Sequence, residues 1–278
     1  MPELPQVHAY SAGEAGLAVN AYLVETEHGV VAVDATLTVS DSRALRARAD
    51  ALGKPLLAVL VTHAHPDHVA GITELVGDRD VPILALPSVE HLMRAFEEPK
   101  RAQWGPVFGD EWVGAWTYPN RLVGDGEAVA FDGATFRVHD LGPGGDCDAN
   151  SIWVLEGAPR AAFVSDLVFN GTHVYTADGR ILAWLANLER FRPLLVGVPT
   201  LYPGHGLPGD PSLLDQQRDY LLAYCAAVRD LSGGMPSLTE EAKRELGERM
   251  GRFRPRAPLG FMVALGADAV AAELAGPR

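Results

Sequence analysis

Cysteine is nearly absent from the 278-residue chain, which holds only Cys147 and Cys225. Two thiols cannot build a disulfide scaffold, and such sparing use fits a reducing compartment, the cytoplasm. Basic residues are also scarce: 23 Lys+Arg stand against 36 Asp+Glu, for a formal net charge of -13. That deficit argues against a nonspecific nucleic-acid binder, which exchanges counterions for Lys and Arg, although it leaves room for a small basic patch. No apolar run approaches the roughly 20 residues needed to span a bilayer. Met1-Pro-Glu-Leu-Pro5 lacks a basic segment followed by an apolar one, so no signal peptide is expected. Repeats of fixed period and low-complexity tracts are missing as well. What remains is a globular composition, 47% hydrophobic and 21% charged, long enough for one large domain or two small ones with a full core.

Hydrophobic patterning divides the chain into two β-rich parts, each followed by helix. Asn20 to Glu25 and Gly29 to Asp34 are β-branched runs separated by Glu27-His-Gly29, which reads as a hairpin. Asp41 to Leu52 has the spacing of a surface helix that Gly53 and Pro55 stop. Leu56 to Val61 is apolar throughout and of strand length, as expected of a buried central strand. A short strand at Ile83–Leu86 and a helix from Pro87 to about Phe96 follow. Residues 97–121 then interrupt the pattern with Trp104, Phe108, Trp112, Trp116 and Tyr118 among Gly and Pro. Such a segment suits a lid or pocket wall, or equally an aromatic cluster under a loop.

In the second half, Ala128–Phe131, Thr135–Leu141, Ser151–Leu155 and Ala161–Val164 read as strands, with turns at Asp132-Gly133 and Gly157-Ala-Pro159. A helix at Ile181–Leu188 precedes a strand at Val198–Tyr202, which ends in Pro203-Gly-His-Gly206. Beyond Pro211 the chain is mostly helical, broken at Ser232-Gly-Gly-Met-Pro236. Leu213, Leu214, Leu221, Leu222 and Val228 recur at helical spacing, as core packing or a dimer interface requires, and Cys225 belongs to that apolar face. Arg252, Arg254 and Arg256 form a short basic island, read as a solvated face or as a patch that steers an anionic substrate. The order of elements predicts two packed sheets with helices outside. A catalytic unit over 1–210 and a helical extension over 211–278, packed on it, are expected.

The chemistry concentrates directly after the buried strand, in Thr62-His-Ala-His-Pro-Asp-His68. His63, His65, Asp67 and His68 are four metal-capable side chains within six positions. Alternate residues of an extended segment share a face, so His63 and His65 can converge on one cation, and the turn at Pro66 sends Asp67 and His68 towards a second. Imidazole with carboxylate suits zinc, and also iron or manganese. His205, between two glycines, and Asp166, at the end of the apolar run Phe163-Val-Ser-Asp166, are further candidates. His173 reads as a pocket residue or a surface loop residue. His8, His28, His91 and His139 are scattered and read as structural or exposed.

The segment Thr62–His68 resembles the HxHxDH signature of the metallo-β-lactamase-fold hydrolase superfamily. The hairpin ending at Asp34 and the later Gly-His-Gly loop fall in the order that family shows, so the resemblance runs from about Asn20 to Gly206. It implies a four-layer αββα sandwich and a binuclear metal site. By that resemblance His63 and His65 hold one metal, Asp67, His68 and His205 hold the other, and Asp166 bridges them. The family's third ligand for the first site, normally a histidine, has no counterpart in Leu141-Gly-Pro-Gly-Gly-Asp-Cys-Asp-Ala-Asn-Ser151. Aligning Asn150-Ser151 with the family's small polar pair puts Cys147 there, and a thiolate is a competent zinc ligand. Asp146 and then Asp148 are the next candidates, and an alignment on Gly144 leaves the first site without that ligand.

The implied reaction is hydrolysis of a small acyl substrate, an ester, thioester or lactone, by a hydroxide held on the metals, as in glyoxalase II-like thioesterases and lactonases. Asp67 would orient the hydroxide and shuttle its proton, and His173 would touch substrate. One or two zinc ions are the expected cofactor, with no nucleic-acid or membrane partner and a homodimer compatible with the helical tail. Two other classes share the ligand set: a di-iron redox protein, and a metal-binding protein without turnover.

Overall fold

The β-branched runs near the start of the chain pair as their spacing predicts. In the computed structural model, which describes residues 5–157 and 160–276, β1 (Gln6–Ser11), β2 (Asn20–Glu25) and β3 (Val30–Val33) form an antiparallel ribbon. Thr26 closes the hairpin: its hydroxyl donates to the Gly29 carbonyl at 2.9 Å. Helix α1 (Val39–Ala51) starts two residues before the expected Asp41, because the Thr38 side chain accepts from the Asp41 N–H and caps it. It carries the chain to β4 (Leu56–Leu60), parallel to β3 and deep in the sheet. Short helices α2 (Pro66–Val69) and α3 (Ile72–Val76), strand β5 (Ile83–Ala85), helix α4 (Pro87–Phe108) and strand β6 (Arg121–Leu122) complete a first sheet, ordered β1-β2-β3-β4-β5-β6.

The second sheet contains β7 (Ala128–Phe131), β8 (Ala134–Gly142), β9 (Asn150–Glu156), β10 (Ala161–Asn170) and β11 (Thr200–Gly206), ordered β11-β10-β9-β8-β7. Helix α5 (Ile181–Leu195) makes the crossover from β10 to the parallel β11. Helices α6 (Leu213–Ser232), α7 (Glu240–Phe253), α8 (Phe261–Leu265) and α9 (Ala267–Ala275) follow. The two sheets face each other across a core in which the rings of Tyr22, Phe163 and Tyr202 lie 5.0–5.6 Å apart. The Trp153 indole stitches the layers by donating to the Val61 carbonyl at 3.0 Å. A second core separates the β11–β7 sheet from α5 and α6, where Trp184, Tyr220 and Tyr224 are fully buried. This is an αββα sandwich, the expected fold class. No helix among the described residues is long and apolar enough to cross a membrane.

Several expectations change in detail. The helix expected to stop near Phe96 runs on to Phe108 through Pro99 and Pro106, so the front of the aromatic segment is helical wall rather than free loop. A proline forfeits only one backbone donor, and burial of Trp104 and Phe108 against the first core keeps the helix going. Strand β10 continues six residues beyond Val164, to Asn170. The turn expected at Gly157-Ala-Pro159 reaches residues 158–159, which lie outside the described residues. In α6 Leu222 faces solvent while Leu213, Leu214, Leu221, Cys225 and Val228 are buried. The break after α6 falls where Ser232-Gly-Gly predicts it, with Gly233 left-handed at φ 58°. Arg254 is not a solvated charge: its guanidinium donates to the Thr172 carbonyl and lies 4.6 Å from the centroid of the Tyr220 ring.

Candidate metal centre

Strand β4 ends at the mouth of the sandwich, and the five polar positions that follow it are buried rather than solvated. Thr62 anchors the turn. Its N–H donates to Asp34 Oδ1 at 2.8 Å, and its hydroxyl lies 2.7 Å from both Asp34 Oδ2 and Ser165 Oγ. Its carbonyl accepts from the Ser151 N–H at 2.8 Å and the Ser151 hydroxyl at 2.7 Å, which fixes the turn to the opposite sheet. Asp34 and Ser165 both have positive φ, 57° and 44°, a strained conformation held in place by this network. Ser165 immediately precedes Asp166, so the strain turns that carboxylate inwards.

Three of the four imidazoles at this site are anchored through Nδ1 and present Nε2 inwards. His68 Nδ1 lies 2.9 Å from Asp34 Oδ2, and His205 Nδ1 donates to the Leu17 carbonyl at 3.0 Å. His63 Nδ1 lies 3.1 Å from the Thr62 hydroxyl. Anchoring the outer nitrogen sets the tautomer and leaves the inner lone pair free, as metal-ligating histidines require. His65 is reversed: Nδ1 meets Asp146 Oδ2 at 2.7 Å, while Nε2 meets Asp178 Oδ2 at 3.0 Å. The carboxylates close the ring. Asp166 Oδ1 lies 3.4 Å from His68 Nε2 and Asp166 Oδ2 lies 3.4 Å from His205 Nε2, which is also 3.4 Å from Asp67 Oδ2. Asp146 Oδ1 lies 3.6 Å from His63 Nε2.

Two groups of buried donors result, one of His63, His65, Asp146 and Asp166, the other of Asp67, His68 and His205. Within each, one ligand atom per residue lies within 4.8 Å of the others. Asp34 also falls beside His63 and His68, but both its oxygens are already engaged by Thr62 and His68, so it orients ligands. Asp166 touches residues of both groups. The fit to cations is tested by atoms that have no partner: His63 Nε2, His68 Nε2, Asp146 Oδ1 and Asp166 Oδ1 are buried without hydrogen bonds, and all four face the centre. Buried acceptors and carboxylates left unpaired are costly unless a cation receives them.

Charge reinforces this. Burial works against protonation of His65 and His205, yet Asp146 overrides it at His65 and Asp166 at His205, so these are pushed up to about 10 and about 9. Burial and the neighbouring His68 instead hold His63 well below the ordinary imidazole range. Asp67 stays below the usual carboxylate range because His68 and His205 outweigh its burial. Burial pushes the Asp146 carboxyl up, against the pull of His65. Glycine makes the packing feasible: a Cβ at Gly204 would collide with Asp166 Oδ1 and with His68.

The structure thus brings together His63, His65, Asp67, His68, Asp166 and His205 as named from the sequence. Cys147 is not among them. It is buried, with Sγ 3.4 Å from the Ala149 carbonyl and 3.5 Å from Asn150 Oδ1, and burial drives its thiol well above the ordinary range. Its neighbour Asp146 takes the place instead. The Asn150 side chain donates to the Cys147 carbonyl at 2.7 Å and the Asn187 side chain to the Gly144 carbonyl at 2.6 Å, which fixes the loop with Asp146 inwards. Asp148 points outwards to Arg180. His173 is placed in the second core, bonded to the Tyr220 hydroxyl at 2.9 Å, and does not line the cleft above the centre. Sequence reasoning missed Asp178, Tyr175 and Lys100. Asp178 sits in Thr176-Ala-Asp-Gly179, where its only visible signal is that of a turn residue.

A cleft opens above the centre. His65, Asp67, Asp146, Asp166 and His205 form its floor, with Trp104 and Phe108 from α4 and Phe261 and Leu265 from α8 among its walls. Comparison with known proteins agrees with this arrangement. The family profile described as "Metallo-beta-lactamase superfamily" matches residues 15–211. A Caenorhabditis elegans protein, "Beta-lactamase-like protein 2 homolog", is 30% identical over 153 residues, 53% of this chain. That match spans 41% of the length of the nematode protein. A beta-lactamase domain protein from Burkholderia ambifaria superposes with a TM-score of 0.69 at 20% identity, covering 99% of this chain and 88% of its own. A metallo-beta-lactamase family protein from Thermus thermophilus gives 0.66, also at 20% identity, covering 98% and 94%. The profile match over most of the chain, with a His/Asp cluster able to bind metal at the place the signature dictates, makes this chain a member of the metallo-beta-lactamase superfamily.

Proposed function

We propose that the chain is a metal-dependent hydrolase of a small acyl substrate, an ester, thioester or lactone. The observation that carries this reading is the set of four buried, unpartnered donor atoms on His63, His68, Asp146 and Asp166 that face one another beneath an open cleft. In this reading His63, His65, Asp146 and Asp166 hold one divalent ion, and Asp67, His68, His205 and the shared Asp166 hold a second. Bound ions supply Lewis acidity and lower the pKa of the attacking water. Zinc is the first candidate, and the carboxylate-rich donors also accommodate iron or manganese.

The protein groups divide the remaining work. Asp34, Asp178 and the Leu17 carbonyl fix the ring orientations of His68, His65 and His205. Asp67 lines the cleft, where its carboxylate can orient the attacking water and relay its proton to the leaving group. The apolar walls limit water around the reacting bond. Free, buried thiols at Cys147 and Cys225 support a reducing compartment, and we place the protein in the cytoplasm.

The test is a panel of esters, thioesters and lactones offered to protein of measured metal content, with and without chelator. Chelator-sensitive turnover that returns on adding zinc or manganese is the expected result. No turnover at full occupancy would overturn the hydrolase reading. Iron with visible absorption would favour the redox class.

A further inference from the structure

We infer that the substrate carries a free carboxylate and that Lys100, on α4, receives it. The inference rests on the hydrolase reading for the position of the reacting bond. Lys100 lines the cleft, is only 8% exposed, and is the one Lys or Arg among its described lining residues. Its ammonium is poorly partnered. Nζ makes one long hydrogen bond, 3.4 Å to the Tyr175 hydroxyl, and its nearest carboxylate oxygen, Asp178 Oδ1, is 3.8 Å away.

Asp178 is itself occupied elsewhere. Its Oδ2 faces His65 Nε2 at 3.0 Å and its Oδ1 accepts from the Tyr175 hydroxyl at 2.8 Å. The rest of the surroundings is aromatic: Nζ sits 5.0 Å from the centre of the Phe96 ring and 5.6 Å from that of Tyr175. An ammonium with three protons, withdrawn from water and given one long hydrogen bond and one carboxylate beyond hydrogen-bond distance, is suited to an anion that arrives with the ligand. Asp178 also links Lys100 to His65, so that anion lies close to the first metal group.

The number of cations selects the anion. With one ammonium, and with Asp178 beside it and Asp67, Asp146 and Asp166 lining the same cleft, a monoanion meets less repulsion than a phosphate carrying nearly two charges at neutral pH. Apolar material is accepted at the rim, where Phe261 and Leu265 from α8 line the cleft while 51% and 40% exposed. The substrate class is therefore an ester, thioester or lactone that also carries a carboxylate, with apolar parts accommodated at the rim.

The test is a binding measurement that needs no turnover. Zinc- or manganese-loaded protein is titrated calorimetrically with pentanohydroxamate and with glutaric acid monohydroxamate, in which the metal-binding head is shared and only the distal carboxylate differs. The native chain should bind the carboxylate probe about tenfold more tightly or better. Lys100→Met should erase that preference while binding pentanohydroxamate within about twofold of native, and Lys100→Arg should retain part of it. Equal affinity of the native chain for the two probes would overturn the inference, as would a preference that survives in Lys100→Met. Tighter binding of the matching phosphonate would overturn the choice of a monoanion. If neither hydroxamate binds to metal-loaded protein, the inference falls together with the metal-centred reading. Hydroxamate binding with an inactive ester panel would instead overturn only the hydrolase reading.

Discussion

Asp146→Asn, set beside Cys147→Ser, interrogates the centre at the place where this chain departs from its family. Asp146 Oδ2 lies 2.7 Å from His65 Nδ1 and Oδ1 lies 3.6 Å from His63 Nε2, so the carboxylate is one of four donors in the group proposed to hold the first ion. Asparagine preserves volume and removes the charge. Loss of an outer partner of a ligand already costs about 10–100-fold in metal affinity, and loss of a direct donor should cost at least about 100-fold. With metal at about 100 times the native Kd, binding stabilises the native chain by about 2.7 kcal/mol. At that concentration the variant is only half-occupied, and the stabilisation drops to about 0.4 kcal/mol. The difference of about 2.3 kcal/mol corresponds to a metal-induced rise in Tm that is smaller by roughly 5 °C. Cys147→Ser should keep the full metal response, because Sγ faces the Ala149 carbonyl and Asn150, away from the centre. Thermal unfolding of chelator-treated protein with and without added metal, together with metal-to-protein ratios from elemental mass spectrometry, reads both variants. An unaltered response in Asp146→Asn, with loss in Cys147→Ser, would refute the assignment and restore the thiolate as ligand.

Other outcomes follow from the same geometry. His205→Ala should lower metal content, whereas His173→Ala should leave it unchanged and lower stability by about 1 kcal/mol, since His173 only partners Tyr220 in the second core; elemental analysis and thermal melts separate the two. In the metal-free chain His65 and His205 are held up to about 10 and about 9, so metal must displace their protons. Apparent metal affinity should accordingly keep rising as pH climbs from about 7 to about 9, up to about tenfold per unit for each proton displaced, and a plateau above the ordinary imidazole value of about 6.5 would contradict this. The same raised values mean that their contribution to metal-free stability is complete below about 6.5 and is lost as pH rises through about 9 and about 10. Gly204→Ala should abolish metal binding, because its methyl would occupy the space of the Asp166 carboxylate; normal metal content in a folded variant would disprove that crowding.

The fold and half of the centre are written locally in the chain. His63, His65, Asp67 and His68 occupy one turn after an apolar strand, so backbone geometry alone brings them near one another. Asp166 and His205 were also legible, because each ends a segment whose apolar run or flanking glycines mark it. Adjacent residues are harder to separate. Asp146 and Cys147 share one loop, and the direction each faces depends on hydrogen bonds from Asn150, three residues on, and from Asn187 on a later helix. His173 carries no local mark that it belongs to a core with Tyr220, and Lys100 lies in the segment read as irregular, where it looks like any surface charge until packing buries it. Sequence by itself determined the layer order and the metal-binding turn, since both follow from short-range periodicity and spacing. Only tertiary structure decided which neighbour of a pair faces the His/Asp cluster, and that a helix from the first half and a loop from the second meet at Lys100 and Asp178. Those choices depend on burial and on hydrogen bonding that includes partners 43 and 75 residues apart, for which a linear pattern holds no record.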